Sequence, residues 1–281
     1  MNGFRSIHNF HVCQYSRLIV LYKELSTVMN ARFDDKVVLI TGGAGTIAGA
    51  TAQAFAELGA TVVLAGRNAE RLAEAAGQVR TQGGKADWVV ADVTDGAQVA
   101  AMVEEVVRRH GGLHVAFNNA GILGTPAAVG DLAEADWQRV LDINLTGVFL
   151  SMKHEIAHMR GNGGGVIVNM ASNIGSHGRR PGLAAYAASK AAVSVLSQTA
   201  ARDHIGDGIR INAVSPGATD TRMSFRPGET REDRDTRVAS AIPLGRVADP
   251  AEIAAAVVWL ASPESAFVIG HDLVIDGGAT A

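Results

Sequence analysis

From Lys36 onward the chain alternates short apolar runs with long alanine-rich stretches, and few folds accommodate that alternation. The runs Val37–Ile40, Thr61–Leu64, Trp88–Ala91, Val115–Phe117, Val166–Met170, Ile211–Val214 and Leu273–Ile275 read as buried strands. Between them Ile47–Leu58, Ala69–Gln82, Ala97–His110, Glu134–Met159, Leu183–Asp203 and Pro250–Ala261 read as helices; in the first, Ile47, Ala50, Ala54, Phe55 and Leu58 recur at helical spacing. Gly59 stops that helix, and Asp249-Pro250 supplies an N-cap and a first-turn proline to the last. Strands apolar on both faces need helices above and below them, which makes the sheet parallel. The expectation is an α/β fold: a doubly wound, mostly parallel sheet of the Rossmann type, in a single domain.

Composition supports a large core and excludes several partners. Of 281 residues 47% are hydrophobic and 19% charged, enough apolar matter for one large α/β domain. The net charge of -3, with no basic run longer than the pairs Arg108-Arg109 and Arg179-Arg180, offers no general attraction for nucleic acid. Cys13 is alone, so neither an intrachain disulfide nor a thiolate metal cluster can form, and we read it as an inert thiol. No metal site is expected. The apolar run Leu18–Tyr22 lies between Arg17 and Lys23 and is too short to span a membrane. Residues 1–31 have a weakly transit-peptide-like composition; they read as a floppy extension, or as the product of a start upstream of Met29. The ordered catalytic domain is expected over residues 32–281, in the cytoplasm.

Five local patterns carry chemistry. Thr41-Gly42-Gly43-Ala44-Gly45-Thr46-Ile47-Ala48-Gly49 joins the first strand to the first helix. There, backbone N–H groups and a helix N-terminus can cradle a pyrophosphate, or the segment is a tight turn without a ligand. The second strand ends in Ala65-Gly66-Arg67-Asn68, without the acid that binds the ribose hydroxyl of NAD. Arg67 suits a 2′-phosphate or else faces solvent. Tyr186 and Lys190, four residues apart, share one helical face, where an ammonium can make a phenol with an ordinary pKa near ~10 a usable acid or base. Ser172, after the fifth strand, falls where ligands bind such sheets. Thr221–Ala241 lacks a strand signal and reads as a lid, or as a solvated insertion.

Together these segments resemble the short-chain dehydrogenase/reductase family over residues 36 to 278. The glycine turn is similar to the family's TGxxxGxG, with Thr46 and Ala48 in place of two glycines, and the resemblance implies that Gly42, Gly45, Thr46 and Ile47 hold the cofactor. Gly66 stands where NAD-dependent relatives carry Asp, so NADP is implied, with NAD as the other choice. Asp92-Val93 resembles the adenine-contacting pair, and Asn118-Asn119-Ala120-Gly121 the NNAG turn. Pro216, Gly217, Thr219 and Thr221 match the segment beside the nicotinamide, Thr219 through its backbone. Val268-Ile269-Gly270 and Asp276-Gly277-Gly278 resemble the family's tail and are read as strand and turn structure. The resemblance implies Asn144, Ser172, Tyr186 and Lys190 as the catalytic set, with Tyr186 and Lys190 also at the cofactor and Asn144 anchoring a proton-relay water; its alternative is an amide that merely satisfies the core. Ser172 precedes Tyr186 by 14 residues, about one more than is common in the family.

The implied activity is reversible hydride transfer between a nicotinamide cofactor and a small carbonyl or secondary alcohol, in a homotetramer or homodimer. The alternatives are a 3-oxoacyl-thioester reductase and a non-catalytic cofactor sensor. A sensor would be expected to lose Tyr or Lys, and the enoyl reductase branch separates the two by more residues. His177, Arg179 and Arg180, in the loop after Ser172, favour an anionic substrate or are in part solvated loop charges.

Overall fold

The computed structural model describes residues 31–281. Cys13, the Leu18–Tyr22 run and Met29 lie outside the described residues. Seven parallel strands form one sheet in the order β3-β2-β1-β4-β5-β6-β7: β1 Val37–Thr41, β2 Thr61–Gly66, β3 Lys85–Val90, β4 Val115–Asn118, β5 Gly165–Met170, β6 Ile209–Pro216 and β7 Asp272–Ile275. The helices are α1 Thr46–Glu57, α2 Ala69–Thr81, α3 Gly96–His110, α4 Glu134–Leu141, α5 Gly147–Gly161, α6 Ala184–His204, α7 Arg231–Ala239 and α8 Pro250–Ala261. The doubly wound α/β fold expected from the alternation is thus present. The chain leaves β1 toward β3, then returns to place β4 on the other side of β1. That reversal opens a crevice at the carboxyl ends of β1 and β4.

The central strands follow from their apolar runs because both faces are covered. Leu39, Ala116, Ile167 and Ile211 pack with Met102 and Val106 of α3 and Met152 and Met159 of α5. Edge strand β3 differs: it begins three residues before the expected Trp88, because Lys85, Ala86 and Asp87 pair with β2 although Lys85 is exposed and the other two only partly buried. The helix expected over Glu134–Met159 is interrupted. Asp142–Thr146 form a π-turn between α4 and α5, in which Gly147 N–H donates to the Asp142 carbonyl. Gly147 then lies so close to Val93 that a Cβ would stand 2.8 Å from its Cγ2. The expected lid is ordered, with a short 3-10 turn at Arg222–Ser224 and α7, which a Thr230–Asp233 capping box starts.

Candidate active site

Two turns meet at the crevice. Gly42 adopts φ +65, and a Cβ there would lie 2.9 Å from the Ala120 Cα, so only glycine lets the glycine turn rest on the NNAG turn. Thr41 Oγ1 accepts from the N–H groups of Asn119 (3.1 Å) and Ala120 (3.3 Å), and Asn119 Nδ2 donates to the Thr41 carbonyl at 3.1 Å. Helix α1 begins at Thr46 with neither a side-chain cap nor an acid in its first turn. Its first N–H groups and positive dipole end therefore face outward beside the exposed Gly45 and Thr46. This chemistry fits a pyrophosphate. Ala48 is fully buried, where a small residue suits close packing.

At the end of β2, Arg67 reaches toward Asp92 at 3.8 Å, and both remain solvent-accessible. The Asp92 carboxylate also accepts from the Thr94 N–H and hydroxyl at 3.0 and 2.8 Å. Arg71, not singled out in the sequence, donates from Nη2 to the Ala44 carbonyl at 3.2 Å, laying a second guanidinium across the glycine turn. Its only signal in the sequence is a position four residues after Arg67.

Ser172, Tyr186 and Lys190 converge beyond β5, all nearly buried. Ser172 Oγ accepts from the Ile174 N–H at 3.1 Å. Lys190 Nζ donates to the Met170 carbonyl at 2.6 Å and stands 5.9 Å from the centroid of the Tyr186 ring. Burial raises the Tyr186 pKa, and the Ser172 hydroxyl works against that rise. Burial also lowers Lys190 to about 8. Gly121 brings the NNAG turn to this group: a Cβ on it would lie 3.3 Å from Asn144 Oδ1 and 3.5 Å from Lys190 Nζ.

The π-turn delivers Asn144 to the same centre. Its Oδ1 accepts from the Ile122 N–H (2.8 Å), while Nδ2 donates to the Ile122 carbonyl (2.9 Å) and to Ser189 Oγ (3.1 Å). These three bonds tie the amide to Ile122 and Ser189 and leave Oδ1 a second acceptor site. Ser189, overlooked in the sequence, donates in turn to the Tyr186 carbonyl at 2.7 Å. Near β6, Gly217 packs so tightly on Asp276 that a Cβ would lie 2.7 Å from the Asp276 Cβ. Thr219 is buried, its hydroxyl on the Gly217 carbonyl and its own carbonyl taken by the Thr221 N–H at 2.7 Å, and Thr221 is the N-cap residue of the 3-10 turn at Arg222–Ser224.

The expectation of no metal site passes over one paired spacing of histidines in helix α5. His154-Glu155-Ile156-Ala157-His158 has the HExxH pattern of zinc hydrolases. Among the described residues, no group of three His, Cys, Asp or Glu side chains gathers for a metal, and Glu155 turns inward to Asn118.

Residues 42–280 match the family model described as enoyl-(acyl carrier protein) reductase. The chain belongs to the short-chain dehydrogenase/reductase family. It is 41% identical to cis-4-hydroxycyclohexanecarboxylate dehydrogenase of Sinomonas cyclohexanicum, over 90% of this chain and 100% of that protein. It is 40% identical to the 3-oxoacyl-acyl-carrier-protein reductase of Thermotoga maritima, over 88% and 98% of the two chains. The structure of a gluconate 5-dehydrogenase from Burkholderia cenocepacia, in complex with NADP and tartrate, superposes with a TM-score of 0.83. It is 35% identical, covering 89% of this chain and 96% of that one. The protein is an NAD(P)-dependent oxidoreductase that interconverts carbonyl and alcohol groups. No helix among the described residues is long and apolar enough to cross a membrane.

Proposed function

We propose that this dehydrogenase/reductase uses NADP(H) and acts on a small secondary alcohol or its ketone, with Ser172, Tyr186 and Lys190 as the reacting group of side chains. The observation that carries the reading is their convergence beyond β5, with Lys190 5.9 Å from the Tyr186 ring. When bound, the nicotinamide supplies or accepts the hydride. Ser172 donates a hydrogen bond to the substrate oxygen, and Tyr186 gives that oxygen a proton during reduction or takes one during oxidation. The Lys190 ammonium offsets charge forming on the phenolate and reaches toward the cofactor ribose. Asn144 supports the proton path through its place in the π-turn. Gly42, Gly45, Thr46 and Ile47 hold the pyrophosphate. Asp92 and Val93 meet the adenine, Asn119, Ala120 and Gly121 underlie the cofactor, and Pro216, Gly217, Thr219 and Thr221 border the nicotinamide.

Arg67 and Arg71 support NADP over NAD, since two guanidiniums flank the end of β2 and no acid follows that strand at Gly66. A second reading, reduction of 3-oxoacyl thioesters, draws on the Thermotoga relative. The spacing of Tyr186 and Lys190 counts against enoyl reduction. Assembly into a homotetramer or homodimer belongs to the same proposal, supported by exposed Phe149 on α5 and Val195 on α6. So does a cytoplasmic location.

The test is a panel of cyclic and open-chain secondary alcohols, ketones and a 3-oxoacyl thioester, assayed with both cofactors in wild type and Tyr186→Phe. Tyr186→Phe is expected to lose turnover and keep cofactor binding, followed by tryptophan fluorescence. Turnover retained in that variant overturns the mechanism, and preference for the thioester selects the second reading.

A further inference from the structure

Residues 172–178, which follow β5, are closed on themselves. Ser172 Oγ accepts from the Ile174 N–H at 3.1 Å, the Gly178 N–H donates to the Asn173 carbonyl at 2.6 Å, and the Gly175 N–H donates to the Gly178 carbonyl at 3.0 Å. Arg179 Nη1 braces the same turn, donating to the Gly178 carbonyl at 2.9 Å and to that of Gly175. Gly175 rests on α6 so closely that a Cβ would lie 2.9 Å from the Ala191 nitrogen. A loop closed in this way moves as one piece, so what holds its tip also holds the Ser172 hydroxyl.

The piece is tied at its base and at its tip. At the base, the Asn173 N–H donates to the Pro216 carbonyl at 3.1 Å, and Asn173 Nδ2 donates to Asp276 Oδ2 at 3.2 Å. At the tip, His177 Nε2 stands 2.8 Å from Asp272 Oδ2. The Asp272 side chain is 5% exposed and collects two further donors, the hydroxyls of Ser194 and Ser215, each at 2.6 Å. Ser194 lies one helical turn beyond Lys190 on α6, and Ser215 directly precedes Pro216 on β6. One carboxylate on β7 thus gathers the Ser172 loop, the Lys190 helix and the end of β6. An ionised carboxylate only accepts, so the His177 contact is a bond in which Nε2 donates, and charge assistance makes it short and directional. Of the three basic side chains in the loop, Arg179 bonds within it and Arg180 is exposed, whereas His177 reaches across to another element.

We propose that His177 is a positioning residue for Ser172: its bond to Asp272 fixes the loop against α6 and β6, so that the Ser172 hydroxyl meets the substrate oxygen where Tyr186 also reaches it. The inference rests on the reading of Ser172 and Tyr186 given above and adds to it a residue that acts through Ser172.

The experiment compares wild type with His177→Asn, His177→Gln, Ser172→Ala and the double variant His177→Asn/Ser172→Ala. Each is assayed by steady-state and single-turnover oxidation of cyclohexanol with NADP, or of whichever alcohol on the panel above reacts fastest. Asparagine is a polar side chain too short to reach Asp272, whereas glutamine carries an amide N–H out to the region of Nε2. His177→Asn is expected to lower kcat about tenfold, since a misplacement of about 1 Å can cost about a hundredfold. NADP(H) affinity stays within about twofold, and His177→Gln recovers most of the loss. Ser172→Ala slows hydride transfer by about a hundredfold or more, and adding His177→Asn to it costs less than about twofold further, because the donor that the loop positions is gone. A merely structural role would lower Tm and multiply the two losses. His177→Ser serves in the same way should asparagine fail to fold.

The proposal is overturned if His177→Asn keeps kcat within about twofold, if glutamine does no better than asparagine, or if the losses multiply in the double variant. A collapse of turnover in Ser172→Ala without a matching loss in His177→Asn sinks the positioning role alone. Wild-type turnover in Ser172→Ala or Tyr186→Phe, or no reaction with any alcohol on the panel, sinks the catalytic reading and this proposal with it.

Discussion

Asn118 donates from Nδ2 to Glu155 Oε2 at 3.0 Å, and both side chains are sealed from solvent. The other N–H of that amide goes to Asn169 Oδ1, also at 3.0 Å. Asn118 Oδ1 and Glu155 Oε1 are left without partners, both of them acceptors if the acid is ionised. A proton on Glu155 supplies the donor that this pair lacks. Burial raises its pKa to about 7, with the Asn118 hydrogen bond opposing the rise.

The sign of the resulting pH dependence follows from linkage. The folded protein holds the Glu155 proton more tightly than the unfolded chain, whose carboxyl titrates near ~4.3. The stabilisation is complete below the unfolded value and is lost as pH rises through about 7. About 3–4 kcal/mol separates the two limits, of which about 2–3 kcal/mol falls between about pH 5 and about pH 8. Glu155→Gln keeps a donor and cannot ionise. Urea unfolding from about pH 5 to about pH 8 should show the variant gaining on wild type by about that amount. A constant difference between the two proteins would refute a protonated Glu155.

Arg71 allows a sharper test of cofactor choice than Arg67 alone, because its guanidinium already lies against the phosphate turn at the Ala44 carbonyl. A charge-assisted contact to a 2′-phosphate is worth about 1.5–3 kcal/mol. Arg71→Ala and Arg67→Ala should each weaken NADP by about tenfold or more and leave NAD within about twofold. Fluorescence titration with both cofactors measures this. Tighter NAD than NADP binding by wild type would reverse the assignment.

The contrast between Arg67 and Arg71 also marks where sequence reading stops. Strands β1, β2, β4 and β5 are legible because burial on both faces leaves a mostly apolar run, broken in β5 only by Asn169. β3 was seen only from Trp88, since an edge strand with one neighbour tolerates Lys85 and Asp87. Helix α7 escaped because only Arg234 and Val238 are buried along it, too few to mark a period. The π-turn changes the helical phase locally and leaves no residue-type signature. Tyr186 and Lys190 meet through local helical spacing, so their pattern could be read directly. Arg71, Ser189 and Glu155 acquire partners 27, 45 and 37 residues away, which only the tertiary fold brings near.

Ser189 shows how such a distant tie bears on the reaction. Its hydroxyl accepts from Asn144 Nδ2 and donates to the Tyr186 carbonyl, joining the π-turn to the first turn of α6. Ser189→Ala removes both contacts and leaves one N–H of a fully buried amide without its partner. Such a loss costs about 1–3 kcal/mol of stability. The catalytic effect should fall on kcat, because Ser189 touches Tyr186 through its backbone and contacts no predicted cofactor phosphate site. We expect kcat to drop by about tenfold with KM for alcohol and cofactor within about twofold. Ser189→Thr retains the hydroxyl and should recover part of that loss. Thermal unfolding alongside steady-state kinetics separates the two effects: a lower Tm with unchanged kcat would make Ser189 a packing residue and nothing more.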